Sequence, residues 1–174
     1  MKKIFAALFA VLCLFSFSGC APNFFAVSNT SDTDLSLVDY TLPDGWVKAE
    51  EYSSDEKIFY VQEGHESDNR PDNMSVNVGS DKYGAEEHED FREAIVSQLL
   101  AQIGDSNAEL YGDGTFTDNG DVLYIFTMVE EDCTTIQYYI VGENKFCLIH
   151  LTNFSGSENA NEAALKLAKS VVWE

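Results

Sequence analysis

The spacing of apolar positions changes repeatedly along this chain. Residues 4–17, IFAALFAVLCLFSF, form one apolar run interrupted only by Ser16. From residue 57 the pattern alternates: KIFYVQE (57–63) and NMSVNVG (73–79) read as strands, the second with Met74, Val76 and Val78 on one face. Across AEEHEDFREAIVSQLLAQIG (85–104) the period lengthens. Phe91, Ala94, Ile95, Leu99 and Ile103 fall on one helical stripe, acidic residues fill the first turns as the helix dipole favours, and Gly104 stands where a C-cap belongs. Alternation then returns in four segments at hairpin spacing, AELYGDGTFT (108–117), DVLYIFTMVE (121–130), TTIQYYIV (134–141) and FCLIHLT (146–152). Two of the turns are explicit, DNGD at 118–121 and GENK at 142–145. The segment 155–173 predicts a closing helix. Ser155 and Glu158 have capping-box spacing, Ala164, Leu165, Ala168 and Val172 supply an apolar face, and Lys166 and Lys169 suit the C-terminal end.

Ahead of these elements, DYTLPDGWVKA (39–49) predicts an extended segment, a turn at Pro43, Asp44 and Gly45, and a core anchor at Trp46. GHESDNRPD (64–72) reads as a polar loop. The order is strands, helix, four strands, helix, with no internal repeat. It predicts an α+β domain: an antiparallel β-sheet of about six to seven strands packed by two α-helices. Residues 39–174 form the single globular domain of this reading.

The GENK turn also predicts a register. If Val141 pairs with Phe146, then Ile140 faces Cys147, Tyr138 faces Ile149 and Ile136 faces Leu151, all on one side of the sheet. Cys133 has the opposite parity and lies far along the ladder. A disulfide needs Cα atoms within about 7 Å, so Cys133 and Cys147 are expected to stay unbridged, with Cys147 a small buried apolar residue.

The N-terminal run is shorter than the roughly 20 residues that cross a bilayer. It starts with Lys2 and Lys3 and ends in small residues, the profile of a secretory signal peptide. Phe17, Ser18, Gly19 and Cys20 resemble a bacterial lipobox, with Phe in place of the commoner Leu. The resemblance implies a signal peptide over 1–19, cleavage before Cys20 and thioether and acyl (palmitate) lipidation at Cys20. The expected location is therefore the extracytoplasmic face of a cell membrane, held by the lipid on Cys20. Residues 20–38 then read as a polar tether, with Phe24 and Phe25 touching either membrane or domain.

Charge narrows the partners. The chain carries a formal net charge of −20, and without residues 1–19 eight Lys and Arg face thirty Asp and Glu. Nucleic acid, which needs cations to displace its counterions, is excluded as a partner. Docking on anionic headgroups is disfavoured. What remains is solubility by self-repulsion, or a cation or basic partner.

Catalytic patterns do not assemble. His65 lies in the polar loop, His88 amid EEHED on an acidic helical turn, and His150 on a strand with outward parity, a half-buried surface histidine. None sits in a nucleophile–base signature. No zinc spacing occurs. Asp113, Asp118, Asn119 and Asp121 make the best calcium candidate, yet they lack EF-hand spacing and read more simply as strand and turn. Of the aromatics Tyr111, Phe116, Tyr124, Phe126, Tyr138 and Tyr139, most are expected in the core or in cross-strand pairs. No catalytic residue, metal ligand or cofactor is assigned, and the binding residues are not selected by the sequence.

Leu42, Pro43, Gly45 and Trp46, followed by short strands, one amphipathic helix, a meander with Gly142 and Phe146, and a closing helix, resemble the PsbP/DcrB-like group over about residues 39–173. The resemblance implies a PsbP-like α/β/α sandwich. Members of that group serve photosystem assembly, small-GTPase binding and envelope lipoprotein roles, with no shared catalytic residue. The expected function is therefore a non-enzymatic binding or assembly module of the cell envelope with a protein partner there. The alternative is an extracytoplasmic receptor for a small ligand or a cation such as calcium.

Overall fold

A computed structural model describes residues 34–104 and 107–174. Its sheet elements are β1 (Val38–Asp39), β2 (Trp46–Lys48), β3 (Ile58–Gln62), β4 (Asn73–Ser80), β5 (Glu109–Phe116), β6 (Val122–Val129), β7 (Thr134–Val141), β8 (Lys145–Asn153) and β9 (Val172–Trp173). The helices are α1 (His88–Ile103) and α2 (Glu158–Lys169). Seven strands make one sheet in the order β2-β3-β4-β8-β7-β6-β5, and β1 pairs with β9 in a separate two-stranded ribbon. Every pairing is antiparallel. The expected α+β class and strand number are thus found.

The β7–β8 register is the predicted one, with Val141 opposite Phe146, Ile140 opposite Cys147, Tyr138 opposite Ile149 and Ile136 opposite Leu151. That set lies on one face with Met74, Val76 and Val78, all buried under α2. Ala160, Ala164 and Ala168 are fully buried, and such small side chains let the α2 backbone approach the sheet closely. Removing the larger α2 and strand side chains from water contributes about 1.5–3 kcal/mol apiece. The other face is aromatic. Phe91, Ile95 and Leu99 of α1 rest on Tyr124, Phe126, Tyr139 and Phe146. The Phe91 ring lies 5.6 Å from that of Phe146 and 5.8 Å from that of Tyr139, both within the range of favourable ring pairs.

The turn at Pro43 forms as expected: the Trp46 amide donates to the Pro43 carbonyl at 3.3 Å, and Gly45 takes φ +78°, a conformation that favours glycine. Trp46 is buried. Cys147 is fully buried, which pushes its thiol pKa up to about 12, and no disulfide joins it to Cys133.

Three expectations need correction. The tether does not extend to residue 38. Leu35 and Leu37 pack on the core in a 3-10 turn and Val38 is buried against β9, so the domain starts by residue 34. The closing helix starts after Ser157, and the Ser155 hydroxyl bonds to Asp72 instead of capping it. The buried α2 stripe is Ala160, Ala164, Leu167 and Ala168, continued by Val171, whereas Val172 is exposed in β9. Most of the strand aromatics are in the core, as expected: Tyr124, Phe126, Tyr138 and Tyr139 are buried, while Tyr111 and Phe116 are 56 % and 61 % exposed on the edge strand β5.

Candidate binding cleft

Antiparallel pairing brings the ends of β3, β6 and β8 and the starts of β4 and β7 to one end of the sheet. The polar loop before β4, the β6–β7 turn and the β8–α2 loop meet there. Between them lies an open cleft of about 410 Å³, lined by Gln62, His65, Asp68, Arg70, Asp132 and Phe154, together with Pro71, the buried Asp72 and Ser155.

Its floor is tightly bonded. Asp72 is 7 % exposed, and its Oδ1 accepts from the Phe154 amide at 2.7 Å and the Ser155 amide at 2.9 Å. Its Oδ2 accepts from the Ser155 hydroxyl. Asn153, also buried, donates through Nδ2 to the Ser157 carbonyl (2.9 Å) and to Asn161 Oδ1 (2.8 Å). Its Oδ1 accepts from the Gly156 amide at 2.8 Å. A buried polar group so satisfied fixes a loop, because any other arrangement would leave donors unpaired.

The rim is looser. The Arg70 guanidinium stacks 4.4 Å from the centre of the Phe154 ring and sits 3.5 Å from Asp132 Oδ2. Both partners of that ion pair are largely exposed, at 44 % and 73 %, so the pair contributes no more than about 1 kcal/mol and separates readily. His65 Nδ1 bonds to Asp68 Oδ2 at 2.7 Å, again in the open. A planar guanidinium held on an aromatic face, ringed by carboxylates, is equipped to exchange its weak partner for a carboxylate or peptide group of a ligand. A hydroxyl nucleophile needs an adjacent base; here the Ser155 hydroxyl donates to Asp72, and His65 is engaged with Asp68.

The other candidates lie elsewhere. His88 begins α1 and its Nδ1 is 2.7 Å from the Tyr124 hydroxyl, so it is docked on the sheet as well as on an acidic turn. His150 is partly exposed on the α1 face between Ser75 and Gln137. Dense packing there, with Lys57 nearby, lowers its pKa to about 4. Asp113 stands mid-strand opposite Ile125, and its Oδ1 accepts from the Gly114 amide at 2.7 Å. Asp118, Asn119 and Asp121 belong to the next turn, where the Asp121 amide donates to Thr117 Oγ1. Among the described residues no three His, Cys, Asp or Glu side chains are gathered to hold a metal ion. Cys20 lies outside the described residues.

Sequence reading did not single out Arg70, Asp72, Asp132 or Phe154, and took Ser155 only as a helix cap. The available signal was scarcity: Arg70 is one of only two arginines in the chain.

No family model matches the chain, and no curated protein does. Among solved structures it is similar to the solution structure of cyanobacterial PsbP (CyanoP) from Synechocystis sp. PCC 6803. The TM-score is 0.51 and the identity 17 %, over 91 % of this chain and 99 % of that one. The fold is PsbP-like.

Proposed function

We propose that this chain is a lipoprotein, anchored through Cys20 on the extracytoplasmic face of a cell membrane, that acts as a non-enzymatic binding or assembly module for an envelope protein. The observation that carries the binding role is the cleft, a rigid floor under a rim of weakly paired charges with Arg70 stacked on Phe154.

The layout of the fold supports the reading. The Glu174 amide donates to the Leu37 carbonyl, and Trp173 packs against Gly142. The chain from Cys20 therefore joins the domain at the end of the sheet that holds the β7–β8 turn. The cleft is at the opposite end, one β8 length away: nine residues, about 30 Å. A domain tethered at the first end leaves the cleft clear of the anchor. The PsbP-like fold is compatible with a module that has no chemistry of its own, although fold alone does not fix function.

The test is crosslinking in intact cells, with recovery of the lipidated protein. One abundant envelope protein, recovered with the natural chain and lost with Arg70→Asp, is the expected result. Equal recovery with Arg70→Asp would remove the cleft from the proposal. A small-ligand receptor is the second reading, favoured by the cleft volume. A rise in the unfolding midpoint with a metabolite, abolished by Arg70→Asp, would select it.

A further inference from the structure

β5 ends the seven-stranded sheet, and its eight residues pair with β6 along their whole length, from Glu109 opposite Val129 to Phe116 opposite Val122. Among the described residues it has a neighbour on that side only. The opposite edge of the sheet is β2, a strand of three residues, too short to template another chain.

The direction of the exposed groups follows from one bond. The Thr117 amide donates to the Asp121 carbonyl at 2.9 Å. In an antiparallel pair bonded positions alternate, so the odd-numbered residues of β5 turn their amides to β6. Leu110, Gly112, Gly114 and Phe116 turn theirs outward. The Gly114 amide agrees: its partner is the carboxylate of Asp113, its own neighbour, at 2.7 Å.

Natural edges are usually blunted with Lys or Pro, and β5 has neither. It instead carries Tyr111 and Phe116, highly exposed on opposite faces, where side chains of an added strand would lie beside them. No Lys, Arg or His stands between Arg92 and Lys145, and Glu109, Asp113 and Asp121 line this hairpin, while Asp118 at its turn lies beside Lys166 and Lys169 of α2. A second copy would set these carboxylates against themselves; a basic segment would be drawn in.

We infer that the open edge of β5 takes up an extended, basic segment of a partner protein as an added strand. Main-chain bonds to Leu110, Gly112, Gly114 and Phe116 hold it, and Asp113 releases the Gly114 amide to pair with an incoming cation. This site is separate from the cleft, and the two readings fail separately.

The experiment measures amide hydrogen exchange at single-residue resolution on the full lipidated chain in detergent, at physiological ionic strength. The probes are a blocked Lys–Val repeat peptide matched to the length of β5 and its Glu–Val counterpart. The Lys–Val peptide is expected to protect the amides of Leu110, Gly112 and Phe116, and the Glu–Val peptide is not. Gly114→Pro removes an amide that the β5–β6 ladder does not use, and binding is expected to weaken about tenfold or more. Asp113→Lys keeps the strand and is expected to shift preference toward Glu–Val, which serves if the proline variant unfolds. Protection scattered over the acidic surface, equal protection by both peptides, or peptide-free protection that grows with protein concentration would overturn the inference.

Discussion

Asp72 and Ser155, 83 positions apart, are joined twice: Oδ1 of Asp72 accepts from the Ser155 amide, and Oδ2 accepts from the Ser155 hydroxyl. With the Phe154 amide on the same Oδ1, one carboxylate ties the β8–α2 loop to the start of β4. Asp72→Ala would take this acceptor from the Phe154 and Ser155 amides and the Ser155 hydroxyl at a part-buried site and is expected to cost about 1–3 kcal/mol in urea unfolding. Asp72→Asn keeps one acceptor and should cost less. A loss under about 1 kcal/mol for the alanine variant would show that the loop is held by other contacts.

Gly79 faces Phe146 across the β4–β8 pair, and a Cβ at residue 79 would overlap the Phe146 ring. That ring is wedged between Phe91 and Tyr139, so it has nowhere to retreat. Gly79→Ala is expected to destabilise the fold by about 1–3 kcal/mol, a fall of several degrees in the thermal midpoint. The double variant Gly79→Ala with Phe146→Leu should recover part of the loss.

His150 gives a pH signature. Its pKa in the folded state, about 4, lies below its ordinary value of 6.5, so the unfolded chain binds the extra proton first. Its contribution to stability is complete above pH 6.5 and is lost as the pH falls through that window toward 4. The net charge of the whole chain also changes over this range, so the measurement is a difference. Between pH 6.5 and 4, the natural chain should lose about 2–3 kcal/mol relative to His150→Gln. Lys57→Gln should raise the His150 pKa in an NMR titration, since the Lys57 charge contributes to its depression. An unchanged value would leave burial as the whole cause.

Cys20→Ser tests the anchor. The variant is expected to leave the membrane fraction with the rest of the chain folded, read by fractionation and circular dichroism. Retention of a cleaved Cys20→Ser protein on membranes would contradict the lipobox reading.

What could be read from sequence was local. GENK fixed the β7–β8 register because a tight turn and two alternating segments leave one pairing that buries both apolar sets. The stripe of α1 was legible for the same reason: its period is a property of consecutive residues. That Tyr111 and Phe116 would be the exposed aromatics was not legible, because alternation says nothing about which strand ends the sheet. Ser155 looked like a cap because its true partner, Asp72, arrives from the other half of the chain. Leu35, Leu37 and Val38 passed for tether because the strand that covers them lies at the C-terminus. The cleft was illegible as a unit. Arg70 and Phe154 become neighbours only after β4 and β8 have paired, and each alone is an ordinary loop residue.

The pairing of Val38 with Trp173 has a consequence for the order of events during folding. The run from β5 to β8 pairs strand to strand within its own stretch, and only the outer side of β8 waits for β4. Strand β1, by contrast, has nothing to pair with until residues 172–173 are free to meet it. The fold therefore latches last at a strand from its beginning, and a chain cut before residue 172 keeps the residues of the seven-stranded sheet but leaves its Val38 segment unfastened.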